Sequence, residues 1–577
     1  MRYLLAEGGE SRYYIVNHRY ANEAVRYAAA ELQRLLLSAT GAALPYFSDR
    51  CAKVGPEIRI GEDVRGAAPT EGLAPEGYLI RAEGDDILIT GGSPRGVIYG
   101  VYHFLRTFCG YRSYTRGSER IDTIDRLEIE LDEIRGEPAF EFREAYFRYA
   151  FDGDFCVRNG LNANLGDISR ARGGGMRWYN FHHSFRDLCP EEVWFDTHPE
   201  YFSEIDGERR RGAQICLSNP EVFAVCRDSL RRQIRENPHC RVFSVAQNDN
   251  DRRCTCPACL KIEEEEGSPA GPIIRFVNAL ADDIAADYPD VLLHTFAYMY
   301  SVPAPKKVVA RDSVIVRLCT FGCRFDKPLP VLAEENPTGQ EAKFCRALSD
   351  WQAHCKRIYV WDYVVNFRNY AQPHFNFHVI AENIRYFAKM GVRGVLAQGN
   401  FAHGGGCAAD ELKSYLIARL LLDPTTDIDR ELREYCHGVY GAAGEAMLAY
   451  YRRMEEACTS APLTIYLYPD APFITDALLS ECRALLDQAL ATAEPWARPN
   501  VAREELSLRF LTLSRLPLEA EGREGAIREF IRDVKGFGIT ELFERSSIAV
   551  AQDAMLTSLY AKNRPPYTEH WLYYTMQ

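Results

Sequence analysis

Hydrophobic and polar positions along the chain change rhythm twice. Up to about residue 135, helical and strand periods are mixed. In ANEAVRYAAAELQRLLLSATG, Ala24, Ala28, Leu32, Leu35 and Leu36 recur at helical spacing, and Gly41 stands where a C-cap takes positive φ. SPRGVIYGVYHFLR opens at a Ser-Pro helix start and aligns Val97, Val101, Phe104 and Leu105 on one face. Between these, EIRIG, GYLIRAEG and DILITGG read as short strands, the last two as a hairpin across EGDD. A small α/β domain over 1–135 follows. GGSPRG lacks the Lys-Ser/Thr of a phosphate loop, so its glycines are expected to serve close helix packing.

From 138 to 425, short apolar runs alternate with helical stretches, the pattern of parallel strands joined by crossover helices. The strands are expected at 142–149, 161–165, 179–183 or 213–217, 241–247, 291–299, 313–318, 357–362 and 392–399. Eight strands in about 285 residues match a (β/α)8 barrel. A doubly wound sheet lacks its glycine fingerprint here. After Pro424 the strands stop, and stripes such as Leu478, Leu479, Cys482, Leu485, Leu486 and Ala489 predict a helical domain over 426–577. The fold class is therefore α/β, a central TIM-like barrel with a small amino-terminal α/β domain and a carboxy-terminal helical domain.

At 577 residues, several domains are expected. The net charge of -13 disfavours nucleic acid and anionic membrane as partners. No apolar run is long enough to span a bilayer, and MRYLLAEGGESRYY does not read as a secretory signal, so a cytoplasmic location is expected. The 33 Tyr and 29 Phe offer flat faces on which a sugar can stack.

Functional side chains of a barrel project from the carboxyl ends of its strands. Applied to the strands above, that rule selects Arg143, Asn248 and Asp249, Tyr298 and Tyr300, Trp361 and Asp362, Asn366 and Gln398, with His183 from NFHHSF. Glu411, in ADELKSYL, is a third carboxylate candidate. The set is carboxylate, amide and aromatic, and has neither a nucleophile elbow nor HExxH. Such side chains suit glycoside cleavage: one carboxyl protonates the departing oxygen, another serves the anomeric carbon, and amides bind hydroxyls or an acetamide. Asp249, Asp362 and Glu411 are the expected catalytic groups, and the remaining residues the sugar subsite. No cofactor is required for this chemistry. CTCPAC, with Cys254, Cys256 and Cys259, supplies three ligands of a structural zinc site, the fourth coming from Cys216, Cys189 or a histidine.

The motifs PAFEFREAYFRYAFDGDF, HHSF, HPEYFSEIDGERR, QICLSNPEV, GSPAGPIIRFVNALADDI, YPDVLLHTFAYMYSVPAPK and WDYVVNF occur in an order that resembles the domain of unknown function 4838, placed with glycoside hydrolase family 163. The resemblance covers roughly 138–425. More loosely, the amino-terminal unit is similar to the domain preceding the barrel in β-hexosaminidases and α-glucuronidases. The resemblance implies a (β/α)8 hydrolase of glycans containing N-acetylglucosamine, with endo-β-N-acetylglucosaminidase activity. Two rivals stand beside it. A basic cluster in the pocket would suit an α-glucuronidase-like enzyme of plant glycans, and a degenerate barrel would suit a non-catalytic glycan binder.

Overall fold

The computed structural model describes residues 1–66, 71–115, 117–406 and 408–561. Its first unit contains a six-stranded sheet in the order Glu133–Gly136, Tyr78–Glu83, Asp86–Gly91, Glu57–Ile60, Tyr14–Asn17, Tyr46–Ser48. The second and third of these form the antiparallel hairpin that EGDD predicts. Helices Glu23–Thr40 and Pro94–Cys109 start on Asn22 and Ser93, whose side chains accept from the Val25 and Gly96 amides, and Gly41 ends the first helix at φ 73°. The GGSPRG glycines do permit close packing: a Cβ on Gly96 would lie 2.2 Å from the Gly77 carbonyl oxygen.

The central sheet is all parallel, in the order Phe142–Tyr146, Gly394–Gln398, Arg357–Tyr363, Val314–Cys319, Leu292–Ala297, Val242–Ser244, Trp178–Tyr179. It is curled, since Trp178 on one edge strand reaches Tyr359, a non-neighbour in that order, with ring centroids 6.0 Å apart. The inner face holds Phe142, Tyr146, Trp178, Val242, Leu292, Ile315, Tyr359 and Leu396 as one cluster. Helices such as Pro220–Glu236, Ala270–Ile284, Gln340–Gln352 and Phe377–Lys389 join successive strands.

The sheet has seven strands where eight were expected. Residues 161–165 form no strand, and two asparagine side chains occupy that position instead. Asn162 Oδ1 accepts from the Arg143 amide at 2.9 Å while its Nδ2 donates to the Glu141 carbonyl at 2.7 Å, reproducing the two bonds of a ladder. On the other side, Asn164 Oδ1 accepts from the Trp178 amide at 2.8 Å. Side-chain amides can substitute for backbone groups in this way because they carry the same donor and acceptor. The LNANL run is thus a polar hinge across the seam of the curl.

From residue 426 to 561 the chain is mainly helical, with helices Ile428–Tyr440, Gly444–Thr459, Asp476–Thr492, Arg498–Arg515, Arg523–Gly536 and Ile548–Thr557. Strands do not stop altogether: Glu541–Phe543 and Ser546–Ser547 form a small antiparallel hairpin. Its turn is carried to the barrel by the loop after Arg357–Tyr363, where the Tyr370 amide donates to Leu542 O at 2.8 Å and the Glu544 amide to Phe367 O at 3.1 Å. Among the described residues, no helix is long and apolar enough to cross a membrane.

Candidate active site

A cavity of about 450 Å³ opens at the carboxyl ends of the central strands. Tyr146, Phe296, Tyr298, Trp361, Tyr363 and Gln398 reach it from strands or their ends, and Phe181, His183, Asn248, Asp249 and Phe401 from the loops. Tyr466, Glu544 and Arg545 complete the wall from the helical region. Trp361 and Phe181 lie parallel, 5.9 Å apart and 12° between planes, and Trp361 Nε1 donates to Gln398 Oε1 at 2.8 Å. The wall is therefore aromatic, with its amides already oriented.

Asp249 is held by two neighbours. The Tyr298 hydroxyl donates to Oδ1 at 3.3 Å, and His183 Nε2 lies 3.5 Å from the same oxygen. His183 Nδ1 is 2.6 Å from the Gln247 carbonyl, so that nitrogen carries its hydrogen and Nε2 is left to face Asp249. Burial lowers the His183 pKa while the Asp249 charge opposes it. His183 reaches this place because the Ser184 hydroxyl accepts from the Ala246 amide at 3.0 Å and donates to Ser244 O at 2.7 Å, pinning its loop to the Val242–Ser244 strand.

The second carboxyl in the cavity is Glu544, at the turn of the small hairpin. Its pKa is raised to about 7, first by burial and then by the charges of Glu541 and Asp249, with Arg545 opposing. Two carboxyl groups thus share one aromatic cavity, and that of Glu544 keeps its proton closer to neutrality than a free carboxyl does.

Of the expected residues, His183, Asn248, Asp249, Tyr298, Trp361 and Gln398 line the cavity. The others lie elsewhere. Arg143 is fully buried on the outer side of its strand, where it donates to Glu76 Oε2 at 2.6 Å, Gly160 O at 2.6 Å and the Tyr99 hydroxyl at 2.9 Å. It ties the amino-terminal unit to the barrel. Replacing it with Met should cost about 2 kcal/mol in urea unfolding, because Glu76 loses one of its two cations and keeps only Arg95, at 2.9 Å, while the cavity keeps its shape.

Asp362 also faces outward, since its neighbours Trp361 and Tyr363 take the cavity side and successive strand residues alternate. It accepts from the Thr320 hydroxyl at 2.7 Å, and burial lifts its pKa to about 6. Asn366 is buried in the next loop, its Nδ2 donating to Leu467 O at 2.8 Å, and so supports the segment bearing Tyr466. Tyr300 packs toward Cys259, Arg253 and Glu263, which set the charges around its hydroxyl. Glu411 sits 3.9 Å from Arg503, which makes two bonds of 2.8 Å to Asp410. Burial raises the Glu411 pKa against the pull of Arg503.

Glu544, Arg545 and Tyr466 were missed by strand-end reasoning, because they come from the helical region. The only sequence cue was the break in helical periodicity around ITELFERSS. Near the cavity loop, Cys254, Cys256 and Cys259 gather with Cys216, while Cys189 lies outside the group.

A curled parallel sheet flanked by a small α/β unit and a helical region defines a TIM-like α/β protein. A family profile described as "Domain of unknown function (DUF4838)" matches residues 114–452, and the chain belongs to this family. The profile of the glycosyl hydrolase family 67 N-terminus matches residues 10–104. Among solved structures, a family GH115 4-O-methyl-α-glucuronidase with specificity for decorated arabinogalactans is similar in fold, with TM-score 0.61 and 9% identity over 97% of this chain and 80% of that one. A GH138 enzyme targeting pectin rhamnogalacturonan II matches with TM-score 0.45 and 11% identity over 97% of this chain and 78% of that one. The GH20 β-N-acetylhexosaminidase from Streptomyces coelicolor A3(2) matches with TM-score 0.41 and 13% identity over 78% of this chain and 93% of that one. No curated protein matches the chain.

Proposed function

We propose that the chain is a glycoside hydrolase that cleaves β-linked glycans containing N-acetylglucosamine, with Asp249 and Glu544 as its carboxyl pair. The observation that carries this reading is the half-buried Glu544, its pKa raised to about 7, sharing an aromatic cavity with an Asp249 held by Tyr298 and His183. Glu544 gives its proton to the departing oxygen. Asp249 stabilises the positive charge that develops at the anomeric carbon. Trp361 and Phe181 present ring faces to the sugar, and Asn248 and Gln398 lie where amides meet hydroxyl or acetamide groups. Asp362 and Glu411 position the elements around the cavity.

The test is a screen of aryl β-N-acetylglucosaminides and complex N-glycans with mass-spectrometric product detection. Turnover by the wild type that disappears in Asp249→Asn supports the reading. Binding of glycan with no turnover by the wild type would sink it in favour of a lectin-like role. Trp361→Ala should raise KM about fivefold to tenfold with a smaller change in kcat, as expected for a lost stacking face.

One observation favours a second substrate class. Arg186 and Arg545 line the cavity and are exposed, and a uronate carboxylate would pair with either. Release of glucuronic or 4-O-methylglucuronic acid from a xylan or arabinogalactan, abolished by Arg545→Ala, would select that class instead.

A further inference from the structure

We propose that Cys216, Cys254, Cys256 and Cys259 bind one zinc ion that clamps the Asp249 loop to the segment ahead of helix Pro220–Glu236. One atom from each of the four residues lies within 4.8 Å of the other three, and all four side chains are buried. Cys216 Sγ is 3.7 Å from Cys256 Sγ and 3.9 Å from Cys259 Sγ. A tetrahedron of Zn–S bonds of about 2.3 Å has sulfur–sulfur edges of about 3.8 Å. A disulfide requires about 2.05 Å, and all four cysteines are free. The spacing is that of four ligands around one centre.

The surroundings suit thiolate. The Glu204 amide donates to Cys254 Sγ at 3.3 Å, and Arg209 Nη1 lies 3.8 Å from the same sulfur. Zinc binding would displace the four thiol protons to solvent and leave a dianionic centre, which the Arg209 guanidinium partly offsets. An all-sulfur, closed ligand set is that of a structural ion, with no position open to substrate.

The clamp acts on the cavity through short chain segments. Gln214, two residues before Cys216, accepts from the Asn248 amide at 2.7 Å and donates to Asn248 O and Asn250 O at 2.9 Å each. Asn248 Nδ2 in turn donates to Ala213 O at 2.9 Å. Cys254 then closes the same loop beyond Asp249. Without the ion, four buried thiols and a polar loop would have to keep this arrangement unaided.

Metal content is read without substrate, so the clamp can fail or stand independently of the glycan reading. Plasma mass spectrometry of the protein, purified without added metal, should find about one zinc per chain. Cobalt exchanged into the site should give the intense visible bands of tetrahedral thiolate coordination. Cys216→Ser and Cys259→Ser should each lower bound zinc at least about tenfold, while Cys51→Ser, outside the cluster, leaves it unchanged. Metal removal should increase hydrogen exchange over residues 248–256. Zinc-free protein whose four thiols react at once, iron in place of zinc, or a weak octahedral cobalt spectrum would each overturn the proposal. If the serine variants fail to fold, the stoichiometry and cobalt spectrum of the wild type decide it.

Discussion

Replacing Asp249 with Asn is expected to lower kcat/KM on the glycan substrate about 10³-fold, equivalent to about 4 kcal/mol of transition-state stabilisation. The change is nearly isosteric. Tyr298 can still donate to the amide oxygen and His183 can still approach it, so the cavity should keep its shape. What disappears is the negative charge at a position where a hydroxyl and an imidazole converge on a single carboxylate oxygen. The loss should fall on kcat more than KM, since the charge matters most as the anomeric centre becomes positive. The same substitution at Asp362 should cost far less, because that carboxyl faces Thr320 on the outer side of the sheet. Steady-state kinetics on the two variants checks both expectations. Equal losses at the two positions, with equal thermal stability, would remove Asp249 from its role.

Glu544→Gln is expected to lower kcat about 10²-fold to 10³-fold and to abolish the alkaline limb of the pH profile. With its pKa raised to about 7, Glu544 is protonated below that pH and loses its proton as pH rises through it. Activity that depends on the acid form therefore falls across neutrality in the wild type, and glutamine, which does not titrate, has no such limb. A substrate with a good leaving group, such as a dinitrophenyl glycoside, should restore much of the rate, since it departs without a proton. Stability supplies a second sign. The folded state binds this proton more tightly than the unfolded chain, whose carboxyl titrates near 4.5, so burial of Glu544 favours folding at low pH and opposes it as pH rises from there through about 7. Above pH 7 the glutamine variant should thus unfold at the same or a higher urea concentration than the wild type. A retained alkaline limb in the variant would assign the proton to another group, with His183 next in line.

Much of the cavity was legible from strand ends. The runs RVFSVAQ, VLLHTFAYM, RIYVWD and VRGVLAQG each contain a parallel strand; the last three deliver Tyr298, Trp361 and Gln398 to the cavity, and RVFSVAQ leads directly into Asn248 and Asp249. The errors at Arg143 and Asp362 share one cause. In a sheet covered on both faces, inward and outward positions are equally buried, so apolar patterning no longer says which of two successive residues faces the cavity. Arg143 lies between Phe142 and Glu144, and Asp362 between Trp361 and Tyr363. Shifting the assignment by one residue sends Arg143 to the domain junction and Asp362 to Thr320. The LNANL run shows a different ambiguity. Its alternation resembles a short strand, yet the two asparagines bridge the sheet through side-chain amides, which no periodicity distinguishes from a ladder.

By itself, the sequence determined the alternation of strands and helices, the three-part organisation, the Asp249 rim and the three-thiol motif beside it, because each is written in residues close together in the chain. Tertiary structure alone decided which face each strand residue takes, which of several distant cysteines joins Cys254, Cys256 and Cys259, and that Glu544 enters the cavity from a hairpin within the helical region. Those outcomes depend on the curl of the sheet and on loop 366–370 drawing the hairpin inward. They follow from contacts between segments far apart in sequence, and local patterning carries no record of such contacts.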